Sequence, residues 1–161
     1  MFINSKFKAN KNLHAGGGGF TLIELLIVIV ILGLLMAIGI GSFQSSQIKG
    51  RDARRKNDLA QVQRALELYF NDYNQYPDSS DLPLSGGPWE DDNETLYLKE
   101  FPQDPRFGNY NYVLGGSGAS YQLYARLENV RDPAIGTYAG ISCGDEDCNY
   151  GVASSNANPE D

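Results

Sequence analysis

The order of hydrophobic and polar positions divides the chain into a long helical part and a mixed part that follows it. Residues 25–48 carry no charged side chain, and Glu24 stands directly before them. Beyond this run, apolar side chains recur at steps of three and four residues, at Leu59, Val62, Leu66, Tyr69 and Tyr73. This spacing is typical of an amphipathic helix, and no proline precedes Pro77. The pattern predicts one helix from about Phe20 to Asn74, roughly 80 Å long at 1.5 Å per residue.

After this helix the pattern changes to that of a loop and a small sheet. Residues 77–105 are rich in Pro, Gly, Ser and acids and contain Ser85-Gly86-Gly87-Pro88, which predicts a long connecting loop. Alternating side chains in residues 109–114 and 121–127 flank a glycine-rich turn and predict a β-hairpin. A third strand is predicted near residues 137–141. The fold class is therefore α+β, with the outer half of the helix packed on a small antiparallel sheet.

The carboxylate of Glu24 is the most informative feature of the apolar run. A charge within a membrane-spanning segment is costly, so such a residue indicates a functional site with a partner to be found. A positive partner would arise if the chain were cut between Gly19 and Phe20, since the new terminal amine lies four residues before Glu24. The competing interpretations are a secretory signal peptide and a plain membrane anchor. Lys6, Lys8 and Lys11 fit either of these, but the apolar run is longer than that of a typical signal peptide.

The stretch GFTLIELLIVIVILGLL, residues 19–35, resembles the N-terminal signature of type IV pilins and type II secretion pseudopilins. The resemblance implies that a prepilin peptidase cuts after Gly19 and methylates the new N-terminus at Phe20. It also implies that Glu24 is the carboxylate that guides assembly. Two features depart from the pattern: the leader ends in four glycines, and Gly41 stands where many relatives have a proline that kinks the helix.

A second segment extends the resemblance beyond the helix. Residues 104–112, Asp-Pro-Arg-Phe-Gly-Asn-Tyr-Asn-Tyr, resemble the segment that leads into the first strand of major pseudopilins. The alternative is a simple turn followed by a strand with core tyrosines. With both segments, the fold is expected to be pilin-like.

Four segments follow from this interpretation. Residues 1–19 are a leader peptide, 20–48 a transmembrane and assembly helix, and 49–76 the amphipathic outer half of that helix. Residues 77–161 are the loop and sheet, which form one globular head with 49–76. Residues 49–161 provide enough chain for one small domain and too little for two with independent cores.

The resemblance implies a structural subunit of a type IV pilus or a type II secretion pseudopilus. Its partners would be further copies of the chain in a filament, the prepilin peptidase, and the membrane with its inner-membrane assembly machinery. The precursor would cross the inner membrane once with the globular part outside the cytoplasm, and the filament would be periplasmic or at the cell surface. The alternative function is a minor pilin that acts as a tip adhesin or binding module. Secretion, adhesion, motility and DNA uptake all remain open.

Charge is distributed unevenly along the globular part. Residues 49–64 hold six basic and two acidic side chains, whereas residues 67–161 hold four basic and seventeen acidic ones. The acidic surface disfavours a nucleic-acid partner, because phosphates are bound by Lys and Arg. The basic cluster is interpreted as a solvated face near the membrane, in contact with lipid headgroups or with acids of a neighbouring subunit.

The residues do not suggest an enzyme. The only histidine, His14, lies in the segment that would be removed, so Ser-His and Cys-His pairs cannot form in the processed chain. No glycine-rich stretch has the context of a phosphate-binding loop. No cofactor is expected, with calcium as the one exception considered next.

Cys143 and Cys148 enclose a short acidic loop, Gly144-Asp145-Glu146-Asp147. In an extracytoplasmic compartment the two cysteines are expected to form a disulfide. Two thiols, with no histidine in the processed chain, are too few ligands for a structural zinc site. Calcium is a further option, since Asp145 and Asp147 are spaced like paired oxygen ligands and major pseudopilins commonly bind calcium in a C-terminal loop. The glutamate and glycine of an EF-hand are missing, and the alternative is a solvated acidic loop.

Overall fold

The computed structural model describes residues 19–84 and 86–159, so the leader peptide, apart from Gly19, lies outside the described residues. The chain forms two compact units, one that ends at Gly41 and one that comprises Ser42–Asp161. Each is described separately below.

The predicted long helix is present as α1, Leu22–Tyr73, which has 52 residues. It ends at Asn74, which has a positive φ of 55° and donates its backbone N–H to Phe70 O at 2.7 Å. Asparagine tolerates this left-handed conformation and often stops a helix in this way. Pro77 then prevents any resumption of the helix.

In the first unit, apolar side chains cover every side of the helix. From Leu22 to Met36 the large apolar side chains are 47–81% exposed. Among the described residues, no single helix is both long enough and apolar enough to span a membrane. The parts of α1 on either side of a bend, Leu22–Ala37 and Gly41–Tyr73, are so only when they are taken together.

The first four strands of the second unit form two antiparallel pairs. They are β1 (Trp89–Glu90), β2 (Leu96–Leu98), β3 (Asn111–Gly115) and β4 (Ser120–Ala125). Three more follow, namely β5 (Ser142–Cys143), β6 (Glu146–Asp147) and β7 (Tyr150–Ala153). The main sheet has the order β3-β4-β7 and is antiparallel throughout. The strand pairs β1-β2 and β5-β6 form separate two-stranded sheets.

The core of the second unit lies between α1 and the main sheet. Leu59, Val62 and Leu66 of α1 are fully buried. They belong to the same cluster as Tyr112 of β3 and Tyr121 and Leu123 of β4. Tyr112 and Leu123 are direct partners across the β3-β4 ladder. The α+β prediction is therefore confirmed, as is the hairpin predicted from the alternating pattern.

The third strand was predicted in the wrong place. Residues 137–141 form no strand, and β7, Tyr150–Ala153, pairs with β4 instead. Gly140 has a φ of 83°, which is incompatible with a regular strand, and Tyr138 packs edge-on against Tyr124. A Cβ at Gly151 of β7 would lie 2.9 Å from the ring of Tyr124, so glycine is needed there for close packing. Glycine also weakens the alternating pattern by which a strand is recognised in the sequence.

The long loop, residues 77–105, contains a short 3-10 helix, Ser79–Asp81, as well as β1 and β2. Gly86 and Gly87 have φ values of 92° and 108°, as expected from the turn signal. Trp89 is 2% exposed and attaches the loop to the core.

Candidate processing and assembly site

The N-terminus of α1 is closed by reciprocal hydrogen bonds between Thr21 and Glu24. Thr21 donates from its backbone N and from Oγ1 to Glu24 Oε2, both at 2.8 Å. Glu24 N donates to Thr21 Oγ1 at 3.3 Å. This is a capping box, which provides partners for the free N–H groups at a helix start. Glu24 thus caps the helix in addition to its expected assembly role, and the Thr-x-x-Glu spacing predicts this cap.

Gly19 and Phe20 lie just before the helix and are exposed. A Cβ built on Gly19 would meet nothing within 4 Å. The fold itself therefore does not require glycine at this position. The ring of Phe20 and the apolar side chains that follow it form a continuous exposed surface, and such a surface indicates a membrane or protein partner.

The second unit contains a buried ionic network that the sequence analysis did not anticipate. Arg55 of α1 has no solvent exposure. Its Nε and Nη2 donate to the two carboxylate oxygens of Asp104 at 2.6 and 3.0 Å. Its Nη1 donates to Asp52 Oδ1 and Glu128 Oε1, both at 2.8 Å. This geometry ties α1 to the segment before β3 and to the segment after β4.

Glu128 is the acceptor shared by three arginines. Arg51 donates to its two oxygens at 2.7 and 2.6 Å, and Arg106 donates to Oε2 at 2.9 Å. The hydrogen bonds from Arg51, and then those from Arg55 and Arg106, lower the pKa of Glu128 to about 2, although burial opposes this shift. Glu128 is therefore ionised at any pH near neutrality.

The interpretation of the basic cluster as a solvated, membrane-proximal face is wrong for Arg51, Arg55 and Lys56. Lys56 Nζ donates to both carboxylate oxygens of Asp132 at 2.7 and 2.8 Å, which lowers the pKa of Asp132. All three cations therefore pair with acids of the same chain. Apart from Asp52, which lies three residues before Arg55, these acids lie 49 to 77 residues away from their cations, so no local pattern could show the pairing with them.

The Asp104 segment has a local explanation. Asp104 Oδ1 accepts the backbone N–H groups of Arg106 and Phe107 at 2.8 and 2.9 Å. Asp104 N donates to Gly108 O at 2.8 Å, and Gly108 has a φ of 89°. The Asp-Pro and aromatic-Gly elements of the second resemblance thus form a tight turn, which also presents Asp104 to Arg55.

Cys143 and Cys148 form a disulfide, with their Cα atoms 5.0 Å apart. The bridge closes the β5-β6 hairpin, in which Gly144 has a φ of 72°. Arg126 Nη1 donates to Asp147 O at 2.5 Å, and the other end of its guanidinium pairs with the Glu146 carboxylate. A covalent bond and a cation of the chain itself therefore hold this hairpin.

The β5-β6 hairpin also contains the two aspartates that the sequence suggests as calcium ligands. Asp145 and Asp147 are exposed on it. In residues 19–84 and 86–159, no group of three or more His, Cys, Asp or Glu side chains could hold a metal ion. Calcium takes six to eight oxygen ligands, so these two carboxylates would need backbone oxygens and water to complete a site. The residues present thus fit calcium poorly, and its binding here stays a prediction of the sequence.

Comparison with known proteins agrees with the N-terminal geometry. The family model described as "Prokaryotic N-terminal methylation motif" matches residues 17–40. This range contains Gly19, Phe20, Thr21 and Glu24. No solved structure matches the chain.

Curated relatives match a larger share of the chain than this motif does. The type II secretion system core protein G of Pseudomonas aeruginosa is 31% identical over 114 residues, which span 66% of this chain and 80% of the relative. The proteins of that name from Vibrio cholerae and Escherichia coli are 27% and 28% identical, over 76% and 77% of this chain and 88% of each relative. These matches favour the main filament subunit over a tip adhesin. The chain therefore belongs to the family of type II secretion system core protein G, the major pseudopilins, which are structural filament subunits.

Proposed function

We propose that this chain is made as a membrane-anchored precursor, cut between Gly19 and Phe20, and methylated on the new N-terminus. The observation that carries the proposal is the matched methylation motif over residues 17–40, whose cleavage junction is exposed just before α1. The open space around Gly19 supports it further. A glycine that the fold does not need is consistent with a requirement of the peptidase.

The partners follow from the same proposal. They are a prepilin peptidase, the inner-membrane assembly machinery of type II secretion, and further copies of this chain. The precursor crosses the inner membrane once, with its head outside the cytoplasm, and the assembled filament is periplasmic or reaches the cell surface. The disulfide supports this location, because such bonds persist in oxidising compartments. We infer a structural role, with no catalytic activity and no nucleic-acid partner.

Glu24 is proposed to guide assembly. Both hydrogen bonds that its carboxylate accepts from Thr21 go to Oε2. Within the described part of the chain, Oε1 has no hydrogen-bond partner. When the apolar helices of several subunits pack together, an unpaired carboxylate is strongly unfavourable. The Phe20 amine of an adjacent subunit would satisfy Oε1, and only one stagger of the two subunits permits the contact.

Two substitutions separate this role from helix capping. Glu24→Val removes both the charge and the cap, whereas Glu24→Gln removes the charge and keeps an acceptor that suits a capping box. We expect both variants to be cleaved, to remain in the membrane, and to fail to form fibres, as judged by electron microscopy of cells that overproduce them. Fibres from Glu24→Gln at the wild-type level would contradict the charge mechanism. Loss of cleavage would instead place Glu24 in recognition by the peptidase.

A further inference from the structure

A cavity of about 280 Å³ opens on the second unit between the last turns of α1 and the β1-β2 loop. Aromatic rings form its wall. Tyr69 stacks on Tyr73 with centroids 4.5 Å apart, and on Trp89 at 5.5 Å. Tyr73 is 37% exposed, so its ring is accessible from solvent. The cavity thus has a rigid aromatic wall that remains accessible.

The rim of this cavity is acidic. Asp81, Glu90, Asp91 and Asp92 line it, and no basic residue lines it among those that the structure describes. Burial raises the pKa of the Tyr69 phenol, and the negative charges of Asp81, Asp91 and Asp92 raise it further. The field inside the cavity is therefore negative, which favours a cationic occupant.

Asp91 is fixed in position by its own hydrogen bonds. It accepts from Tyr73 Oη at 2.7 Å and from the backbone N–H groups of Asn93 and Thr95 at 2.9 and 2.8 Å. Asp92, in contrast, is exposed and accepts no hydrogen bond from the described residues. Asp92 is thus a carboxylate that can be changed without loosening the loop.

A matching surface lies elsewhere on α1. Arg64 is exposed and forms no ion pair with any residue that the structure describes. Leu68, one helical turn further on, is 58% exposed. Residues four apart share a helix face, so Arg64 and Leu68 present a cation beside an apolar side chain.

The two surfaces cannot meet within one chain. At 3.6 residues per turn, Arg64 and Leu68 lie roughly 100–180° around α1 from Tyr69 and Tyr73. Different surfaces on opposite sides of one element produce a head-to-tail contact between copies, and such contacts continue as open helical arrays where the rotation between copies does not close a ring.

We propose that the cavity walled by Tyr69, Tyr73 and Trp89 docks Arg64 and Leu68 of a second copy of this chain. The guanidinium would lie against the tyrosine faces and near the Asp92 carboxylate, while Leu68 covers the apolar edge. The charge complementarity and the unpaired state of Arg64 favour this occupant. The inference rests on the proposed filament function, for which it supplies a contact between the heads of neighbouring subunits.

The test is charge reversal in the full chain, with fibres imaged and quantified. Arg64→Glu and Asp92→Lys each place like charges in contact and should reduce fibre yield about tenfold or more. The double variant restores opposite charges and should recover most of the fibres. Arg131→Glu, which reverses an exposed arginine outside both surfaces, is the matched control and should assemble normally. A cooperative thermal transition near that of wild type, followed by circular dichroism, verifies that each variant folds.

A second measurement identifies the occupant. With Arg64→Cys and Asp92→Cys combined in one chain, oxidation of fibres should give a ladder of multiples of the subunit mass. Normal fibres from either single reversal, no rescue in the double variant, or cross-links to a different protein would overturn the inference. Absence of fibres from wild type and from Arg131→Glu would instead overturn the proposed filament function.

Discussion

At the scale of single residues, Arg55 has the most demanding environment in the second unit. It has no solvent exposure and is surrounded by Asp52, Asp104 and Glu128. Burial of so many charges is favourable only while every partner is present, because each would be costly without its counter-ion. The network therefore specifies how α1 meets the loops rather than simply adding stability.

Removal of this arginine should be strongly destabilising. We expect Arg55→Met to lower the free energy of unfolding by about 3–5 kcal/mol, because it leaves the buried carboxylates of Asp52 and Asp104 without a counter-ion. Thermal unfolding of the full chain in detergent, followed by circular dichroism, measures the effect. Arg131→Met, which changes an exposed arginine, should stay within about 0.5 kcal/mol of wild type. Equal melting temperatures for Arg55→Met and wild type would show that the network is energetically neutral.

The same network predicts a loss of stability in acid. The pKa of Glu128 is about 2 in the folded chain, below the usual value for a glutamate in an unfolded chain. A carboxylate with a lowered folded pKa stabilises the fold above its unfolded pKa, and this contribution disappears as the pH falls to the folded value. The melting temperature should therefore fall between about pH 5 and pH 2, and less steeply in Glu128→Gln. Parallel pH profiles for the two proteins would exclude Glu128 as a cause.

Residue chemistry was predictable from the sequence where the signal was local. Glu24 is recognisable because it is the acid at the head of an apolar run. Cys143 and Cys148 are close in sequence, which predicts a disulfide between them. Arg55 could not be recognised, since Asp104 and Glu128 lie 49 and 73 residues further along the chain. Only the fold brings these charges together.

At the scale of elements, periodicity explains both the successes and the error. Helix α1 and the β3-β4 hairpin were predicted because their apolar residues repeat at helical and strand spacing over several positions. Strand β7 has only four residues, and one of them is Gly151. Its glycine is needed for contact with Tyr124, which is a tertiary requirement that no local pattern contains.

The β5-β6 hairpin provides the test for calcium. If Asp145 and Asp147 bind the ion, chelation should lower the melting temperature of wild type but not that of Asp145→Asn combined with Asp147→Asn. Oxidised protein must be used, because the six-residue ring closed by Cys143–Cys148 contributes roughly 2 kcal/mol in the chain-entropy view. If chelator leaves the melting temperature of wild type unchanged, calcium does not bind at this hairpin.

At the scale of the whole molecule, the uneven charge distribution has a structural meaning. Half of the six basic side chains in residues 49–64 are used within the second unit, where Arg51, Arg55 and Lys56 pair with acids from distant segments. Many of the remaining acids, including those around the Tyr69 cavity, face solvent. The exposed apolar helix and this acidic head are therefore chemically different surfaces. In the proposed function, the membrane and neighbouring subunits contact them.

We propose that the chain becomes a filament subunit through one cut and one methylation at the head of α1. Intact-mass spectrometry of the chain, purified from membranes that contain prepilin peptidase, tests it most directly. We expect the mass of a chain that starts at Phe20 and carries one added methyl group, and we expect Gly19→Val to retain the full precursor mass. A wild-type chain that starts at Met1, or at Ser42 after cleavage by a signal peptidase behind the small residue Gly41, would contradict this proposal.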